Sequence, residues 1–289
     1  PLYSSAASDV YKRQGHSDML VGALNAGNKG GKAYVVFGTT NTTAINLSAV
    51  AAGVGGFVMN GQVKVNGSNL ETDFAGFSVS GAGDLNGDGL SDLIVGANGS
   101  SAAVGINAGR SYVVFGKADT AAINLSAMGT GGFVINGQCA GDVSGHSVSS
   151  AGDVNGDGIA DLIVGAYASN DVNLGFMVGR SYVVFGKANN TAVDLSAVAL
   201  GSGGFVINGQ CGGDRSGWSV SSAGDVNGDG IADLLVGAYQ ASPDAGGHAG
   251  RSYVVFGKTN TTAVDLSAVA HGSGGCLLYT SPSPRDAHE

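Results

Sequence analysis

Proline and cysteine are scarce, with 4 and 3 copies in 289 residues. So few cysteines cannot staple a chain of this length, which sets aside a disulfide-built scaffold. Charged residues are 12% of the chain and the formal net charge is -9. That leaves no basic surface for nucleic acid or for an anionic membrane. No apolar run approaches the ~18 residues of a membrane span, so no membrane insertion is expected. No stretch holds a sustained 3.6-residue apolar period with a cap, which excludes a helical bundle. Glycine, by contrast, is abundant at 52 residues. It points to many tight turns in a chain long enough for one large all-β domain or two small ones.

The two ends differ from the rest. "SSAASDVYKRQ" (4–14) and "CLLYTSPSPRD" (276–286) resemble translations of the transposase adapters used in preparing sequencing libraries, as for a metagenomic fragment. Residues 1–14 and 276–289 are therefore set aside from fold reasoning, and 15–275 are read as natural sequence cut on both sides. On this reading Cys139 and Cys211 remain, at the same place in successive repeats, and are expected as small buried or edge thiols without a disulfide.

Self-similarity dominates 15–275. "GGFVMNG" at 55–61 returns as "GGFVING" at 131–137 and 203–209, and "GKAYVVFG" at 31–38 returns as "GRSYVVFG" from Gly109, Gly179 and Gly250. "AGDLNGDGLSDLIVGA" from Ala82 returns from Ala151 and Ala223, with equivalent residues 69 to 76 apart. Each unit reads as four short strands. "GFSVSGAGD" and its equivalents alternate small polar with apolar residues, and "DLIVGA" is a continuous apolar run suited to a strand covered on both faces. "SYVVFG" is β-branched and aromatic between glycines, and "GGFVING" is flanked by turn residues. "INLSAV" and "VDLSAV" suit single helical turns.

Four antiparallel strands per repeat of this length predict an all-β fold, a β-propeller. A β-helix needs shorter repeats, and separate sandwich domains need longer ones of about seven strands. The expected arc is open, with about three and a half blades: partial blade 1 at 15–62, blade 2 at 63–138, blade 3 at 139–210, and blade 4 at 211–275 without its last strand. Blade 1 is expected to lack its innermost strand.

The acidic loops carry the chemistry. Asp153, Asn155 and Asp157 take positions 1, 3 and 5, Gly158 position 6, Ile159 position 7 and Asp161 position 9. The same pattern recurs as Asp84, Asn86, Asp88, Leu90 and Asp92, and as Asp225, Asn227, Asp229, Ile231 and Asp233. Carboxylates this close repel by roughly 4 kcal/mol per pair at 4 Å and an effective dielectric near 20, so a bound cation is the first expectation. Three inward side-chain oxygens, the position-7 carbonyl and the position-9 carboxylate make a hard oxygen set that selects Ca2+ over zinc or copper. An EF-hand would need Glu at position 12, which is Val95, Val164 or Val236, and flanking helices. The alternative, a plain Asp/Asn/Gly turn, does not require the same donors at 1, 3, 5 and 9 in three copies. In blade 1, Asp18 aligns with position 9, but positions 1, 3 and 5 are Val10, Lys12 and Gln14. With dissociation constants near 10⁻⁴ M and calcium near 2 mM, each site would add roughly 1.8 kcal/mol, a structural contribution in an extracellular setting.

These residues resemble the FG-GAP repeats of integrin α-chain propellers and their bacterial relatives. "G-[FHW]-S-V" from Gly76, Gly145 and Gly217 corresponds to the FG element, and "VGA" from Val95, Val164 and Val236 to the GAP element. The proline of that element is replaced by Asn98, Tyr167 and Tyr239. The resemblance implies a seven-bladed propeller of which about half is here, with the rest missing, and calcium at hairpins between strands 1 and 2. It also implies an extracellular or surface location of bacterial type, and adhesion or partner binding.

No enzyme is expected. "GHSVS" at 145–149 is close to a nucleophile elbow, but Ser147 recurs as Ser78 and Ser219, and a catalytic group in every blade is implausible. "GAGDLNG" at 81–87 leads into a strand and offers no helix N-terminus to phosphate. Asp73, Asp142 and Asp214 read as turn-fixing acceptors, with support of a bound calcium as the alternative. The loops between strands 2 and 3, at 98–108, 167–178 and 239–249, vary on a constant frame and are the expected recognition face for a protein or glycan ligand. A non-catalytic accessory propeller of a secreted hydrolase, or a structural spacer, are the rival readings.

Overall fold

In a computed structural model that describes residues 3–6, 16–40, 42–66, 69–242 and 249–278, the repeats form successive antiparallel sheets. Blade 1 holds β1 (Tyr3–Ala6), β2 (Met19–Ala23), β3 (Lys32–Val36), α1 (Leu47–Ala51) and β4 (Gly56–Asn60). A hairpin of β5 (Val63–Asn66) and β6 (Asn69–Thr72) follows. Blade 2 holds β7 (Ser78–Gly83), β8 (Asp92–Ala97), β9 (Arg110–Val114), β10 (Ile123–Asn124) and β11 (Gly132–Asn136). Blade 3 holds β12 (Ser147–Gly152), β13 (Asp161–Ala166), β14 (Arg180–Val184), β15 (Val193–Asp194), α2 (Leu195–Val198) and β16 (Gly204–Asn208). Blade 4 holds β17 (Ser216–Gly224), β18 (Asp233–Ala238), β19 (Arg251–Val255), β20 (Val264–Asp265), α3 (Leu266–Ala270) and β21 (Gly275–Leu278). The architecture is a partial, open propeller.

The hydrophobic cores lie between blades. One cluster joins Leu20, Val35 and Phe57 of blade 1 to Leu93, Tyr112 and Leu125 of blade 2, and two further clusters join blades 2 to 3 and 3 to 4 in the same way. This is why "DLIVGA" has no polar break: β8 and β13 are buried at every residue, with a neighbouring sheet on each side. Blades approach until backbone meets backbone. A Cβ on Gly96 would stand 2.1 Å from the Gly145 carbonyl oxygen, so only glycine fits there.

Three departures from expectation have clear causes. Blades 1 to 3 carry a fifth strand, because β10, β15 and β20 each lie parallel to the outer strand of the preceding blade. Two-residue strands leave no alternation to read. The places expected to be vacant are taken: β1 pairs with β2 from the innermost position of blade 1, and β21 pairs with β19 on the outside of blade 4. A bare sheet edge presents a row of backbone donors and acceptors that any extended segment can satisfy, whatever its side chains. Cys139 and Cys211 are free and exposed rather than buried, which leaves the edge placement.

Candidate metal centre

Each acidic loop begins at a bulge. The pairing of strands 1 and 2 slips between Gly81 and Gly83, Ser150 and Gly152, and Ser222 and Gly224, just before position 1. The slip turns the strand out of the sheet and into the loop. Gly158 at position 6 takes φ 87, the left-handed turn expected of it, as do Gly89 and Gly230.

Within the loop the first aspartate organises the backbone. Asp153 Oδ1 accepts from the amides of Gly156 (2.7 Å) and Asp157 (3.1 Å), and Oδ2 from Gly158 (2.8 Å). Asn155 Oδ1 accepts from the Asp157 amide at 2.8 Å, and Asn155 Nδ2 donates to Asp157 Oδ2 at 2.9 Å. Asp157 Oδ1 accepts from the Ile159 amide at 2.9 Å. Asp84, Asn86 and Asp88, and Asp225, Asn227 and Asp229, repeat the arrangement. Positions 1, 3 and 5 are thus ordered around one short turn, and Asp157 and Asp229 are exposed to solvent.

Position 9 has a second role that sequence reasoning missed. Asp161 is wholly buried beneath the loop, where Oδ2 accepts from the Val154 amide (2.9 Å) and Oδ1 from the Gly186 amide (2.8 Å) at the end of β14. Asp92 holds Leu85 and Gly116, and Asp233 holds Val226 and Gly257, in the same way. Burial pushes the carboxyls of Asp92 and Asp161 up to about 6, against the lowering effect of those amides. Asp88 and Asp84 push Asp92, and Asp157 and Asp153 push Asp161, in the same direction as lesser contributions. In blade 1 the brace persists, with buried Asp18 accepting from the Gly38 amide at 2.9 Å. Val10, Lys12 and Gln14 lie outside the described residues.

The donor set fits a hard divalent cation. The loops offer only oxygens, each carboxylate has about four lone-pair directions, and a cation would relieve both the burial that chiefly raises Asp92 and Asp161 and the lesser repulsion from their neighbouring carboxylates. Adjacent loops also touch: the Ala232 amide, from position 8 of blade 4, donates to the carbonyl of Asp153 at 2.9 Å.

The opposite end of the blades, where strand 2 leaves for strand 3, carries a feature the sequence reading left out. Phe77, His146, Tyr167, Trp218 and Tyr239 form an aromatic row across three blades, with ring centroids 4.3 to 4.6 Å apart. The Arg215 guanidinium lies over the rings of Tyr167 and Tyr239 and donates to the Tyr239 hydroxyl at 2.6 Å. The visible signal was substitution: the X of "G-X-S-V" and the residue after "VGA" are the places where the repeats change to aromatics. Ile106, Val172 and Phe176 stand in the loops 98–108 and 167–178 with more than half their surface exposed. The third loop is described only outside 243–248.

Asp73 and Asp142 lie at this same end, before strand 1, and the loops after it. Asp73 accepts from the Gln62 amide, the Ser100 hydroxyl and the Tyr112 hydroxyl, and Asp142 from the Cys139 amide. Asp142 fixes a local turn, whereas Asp73 ties together segments 11 to 39 residues away, and both lie before strand 1, away from the acidic loop that follows it. Ser147 Oγ accepts from the Val220 amide of the next blade at 3.0 Å, an inter-blade tie where an elbow would need a nucleophile.

The FG-GAP repeat model matches residues 75–114, 144–184 and 216–255. Each match runs from the start of strand 1 through strand 3, with an acidic loop inside it. Integrin alpha-PS2 of Drosophila melanogaster is 34% identical over 118 residues, 40% of this chain and 8% of that protein.

Proposed function

Since this chain is an FG-GAP repeat protein built as an integrin α-like propeller, we propose that it is an extracellular, calcium-stabilised recognition module that binds a protein or glycan partner and has no catalytic role of its own. The observation that carries the reading is the threefold recurrence of one ordered oxygen cluster. Asp84, Asn86, Asp88, Asp92 and the Leu90 carbonyl would hold the first calcium ion. Asp153, Asn155, Asp157, Asp161 and the Ile159 carbonyl would hold the second, and Asp225, Asn227, Asp229, Asp233 and the Ile231 carbonyl the third. The ion supplies positive charge among clustered carboxylates and ties the exposed turn to the buried brace beneath it.

Recognition is assigned to the other end, where the loops 98–108, 167–178 and 239–249 vary over a constant frame and present exposed apolar residues. A surface location for a bacterial protein accords with the calcium economy of these loops, which suits millimolar calcium better than a cytosol. Because the chain matches 8% of the length of its animal relative, the role of a whole protein is part of the proposal. Thermal melting tests it. Calcium at ~2 mM raises the melting temperature by roughly 5 °C or more over chelator, magnesium does so less, and the triple variant Asp84→Asn, Asp153→Asn, Asp225→Asn loses the difference. A wild-type melting curve indifferent to chelator contradicts it.

A further inference from the structure

The loops that join strands 2 and 3 in blades 2 and 3 hold apolar side chains out to solvent. Val104 and Ile106 stand on loop 98–108, and Val172, Leu174 and Phe176 on loop 167–178, each between 46% and 97% exposed. Such residues are ordinary when scattered singly and informative when gathered. Both blades pack against a described blade on either side, so no adjoining sheet is left to cover these residues.

The loops are built rather than slack. Asp171 and Gly175 exchange backbone hydrogen bonds at 2.9 Å, and Asp171 Oδ1 accepts from the amides of Asn173 and Leu174. Asn170 Oδ1 accepts from the Met177 amide at 2.9 Å. Each loop is then sewn to the entry segment of the following blade. Gly141 and Val143 donate to the carbonyls of Ile106 and Asn107, and Gly213 and Arg215 to those of Phe176 and Met177, at 2.8 to 3.1 Å. Val143 at φ 57 and Met177 at φ 51 hold a left-handed backbone without being glycine, which persists only where the surroundings impose it. The segment from Gln138 to Ser144 runs between the two loops, bonded to loop 98–108 on one side and, through Gln138 Oε1, to the Tyr182 hydroxyl of blade 3 at 2.5 Å. Side chains already in place lose little freedom on contact with a partner.

The chemistry of this ridge narrows what it can hold. Its acid, Asp171, is paired with Arg180 at 3.3 Å, which leaves the ridge electrically neutral, with Asn107 and Asn173 as exposed amides. A saccharide laid on five apolar side chains would give up water from its hydroxyls with few groups to replace it. The aromatic row at the same end is no platform for sugar rings either. Phe77, His146, Tyr167 and Trp218 lie 4.3 to 4.6 Å apart with planes tilted by 40 to 66°, so their faces are turned to one another. Aliphatic and aromatic side chains beside a stacked arginine, Arg215, on loops without lysine or glutamate match the composition of a protein interface. A chain of net charge -9 with no unpaired cation on these loops is ill suited to an anionic membrane.

We propose that loops 98–108 and 167–178 form one docking ridge for an apolar, uncharged patch on a partner protein. This rests on the recognition reading above and narrows it from protein or glycan to protein.

A displayed library of random peptides, selected on the full chain in calcium buffer, supplies the probe. The selected peptides are rich in Leu, Ile, Phe and Trp, and a synthetic copy binds saturably by fluorescence anisotropy. Ile106→Asp and Phe176→Asp, on separate loops and at exposed positions, leave the melting temperature unchanged, and each weakens that peptide by roughly tenfold or more. Leu200→Asp, also exposed but on the turn after α2, leaves its affinity as it was. The same chains are applied to a glycan array and to neutral and anionic phospholipid vesicles. Failure to select any peptide, or peptide binding indifferent to Ile106 and Phe176, overturns the proposal. Glycan or vesicle binding that those two substitutions abolish overturns it as well, and the glycan result leaves the broader recognition reading standing.

Discussion

Two aspartates of one loop have different physical tasks. Asp153 lies at the loop's outer turn with three backbone amides on its carboxylate, whereas Asp161 lies beneath, wholly buried and bonded to Val154 and Gly186. Removing a buried brace leaves the amides it holds without an acceptor, at about 1 to 3 kcal/mol each. Asp18→Ala, in the blade whose aligned positions 1, 3 and 5 lack the acidic set, therefore costs the same stability in calcium and in chelator. Asp153→Asn costs stability mainly in calcium. Denaturant unfolding of both variants in the two buffers separates the tasks, and equal behaviour would merge them.

His146 gives a second test. Packed against Phe77, Tyr167 and Trp218, with Asn98 Nδ2 3.3 Å from its Nδ1, its imidazole is pushed by burial from 6.5 down to about 4. A histidine whose folded pKa is lowered contributes full stability above the unfolded value and loses it as pH falls. Wild-type stability thus declines relative to His146→Phe between pH 6.5 and about 4. Urea midpoints of the pair across that window check the sign.

Among the elements, strands with a strong local signature were legible and short ones were not. "DLIVGA" and "SYVVFG" announced buried strands because a two-sided core demands unbroken apolar residues there. The single helical turns at Leu47, Leu195 and Leu266 were also readable, while "INLSAM" at 123–128 forms a two-residue strand without a helix. β10, β15 and β20 owe their existence to the edge of another blade, and no local pattern encodes that. The β5–β6 hairpin, whose register sets Asn66 opposite Asn69, had a signal in "VNGSN", a cluster of turn-forming residues that went unread because no other repeat carries it. The connections predict an energetic contrast. Leu195→Ala opens a cavity between blades and costs about 2 to 5 kcal/mol, whereas Leu47→Ala, half-buried on blade 1, costs under ~1.5 kcal/mol. Chemical denaturation of the two variants measures it, and equal costs would deny that the cores lie between blades.

Across the whole molecule, stability is relayed from blade to blade, since each core is shared by two sheets and neighbouring acidic loops are linked by Ala232 and Asp153. A chain of nearest-neighbour interfaces responds as a unit to ligands that bind any of its repeats. The candidate site was legible as donors and spacing, because positions 1, 3, 5 and 9 are written into sequence. The brace was not, because one partner of Asp161, the Gly186 amide, comes from 25 residues away in the chain. The aromatic row was hidden for a related reason: its members meet only once blades stand side by side.

The account rests on calcium in the three acidic loops, and isothermal calorimetry of calcium into the folded, chelator-stripped chain addresses it most directly. The prediction is saturable heat with three ions per chain, falling to two when Asp153 is replaced by Asn. A folded chain that takes up calcium with no saturable heat, or a stoichiometry untouched by that substitution, contradicts it.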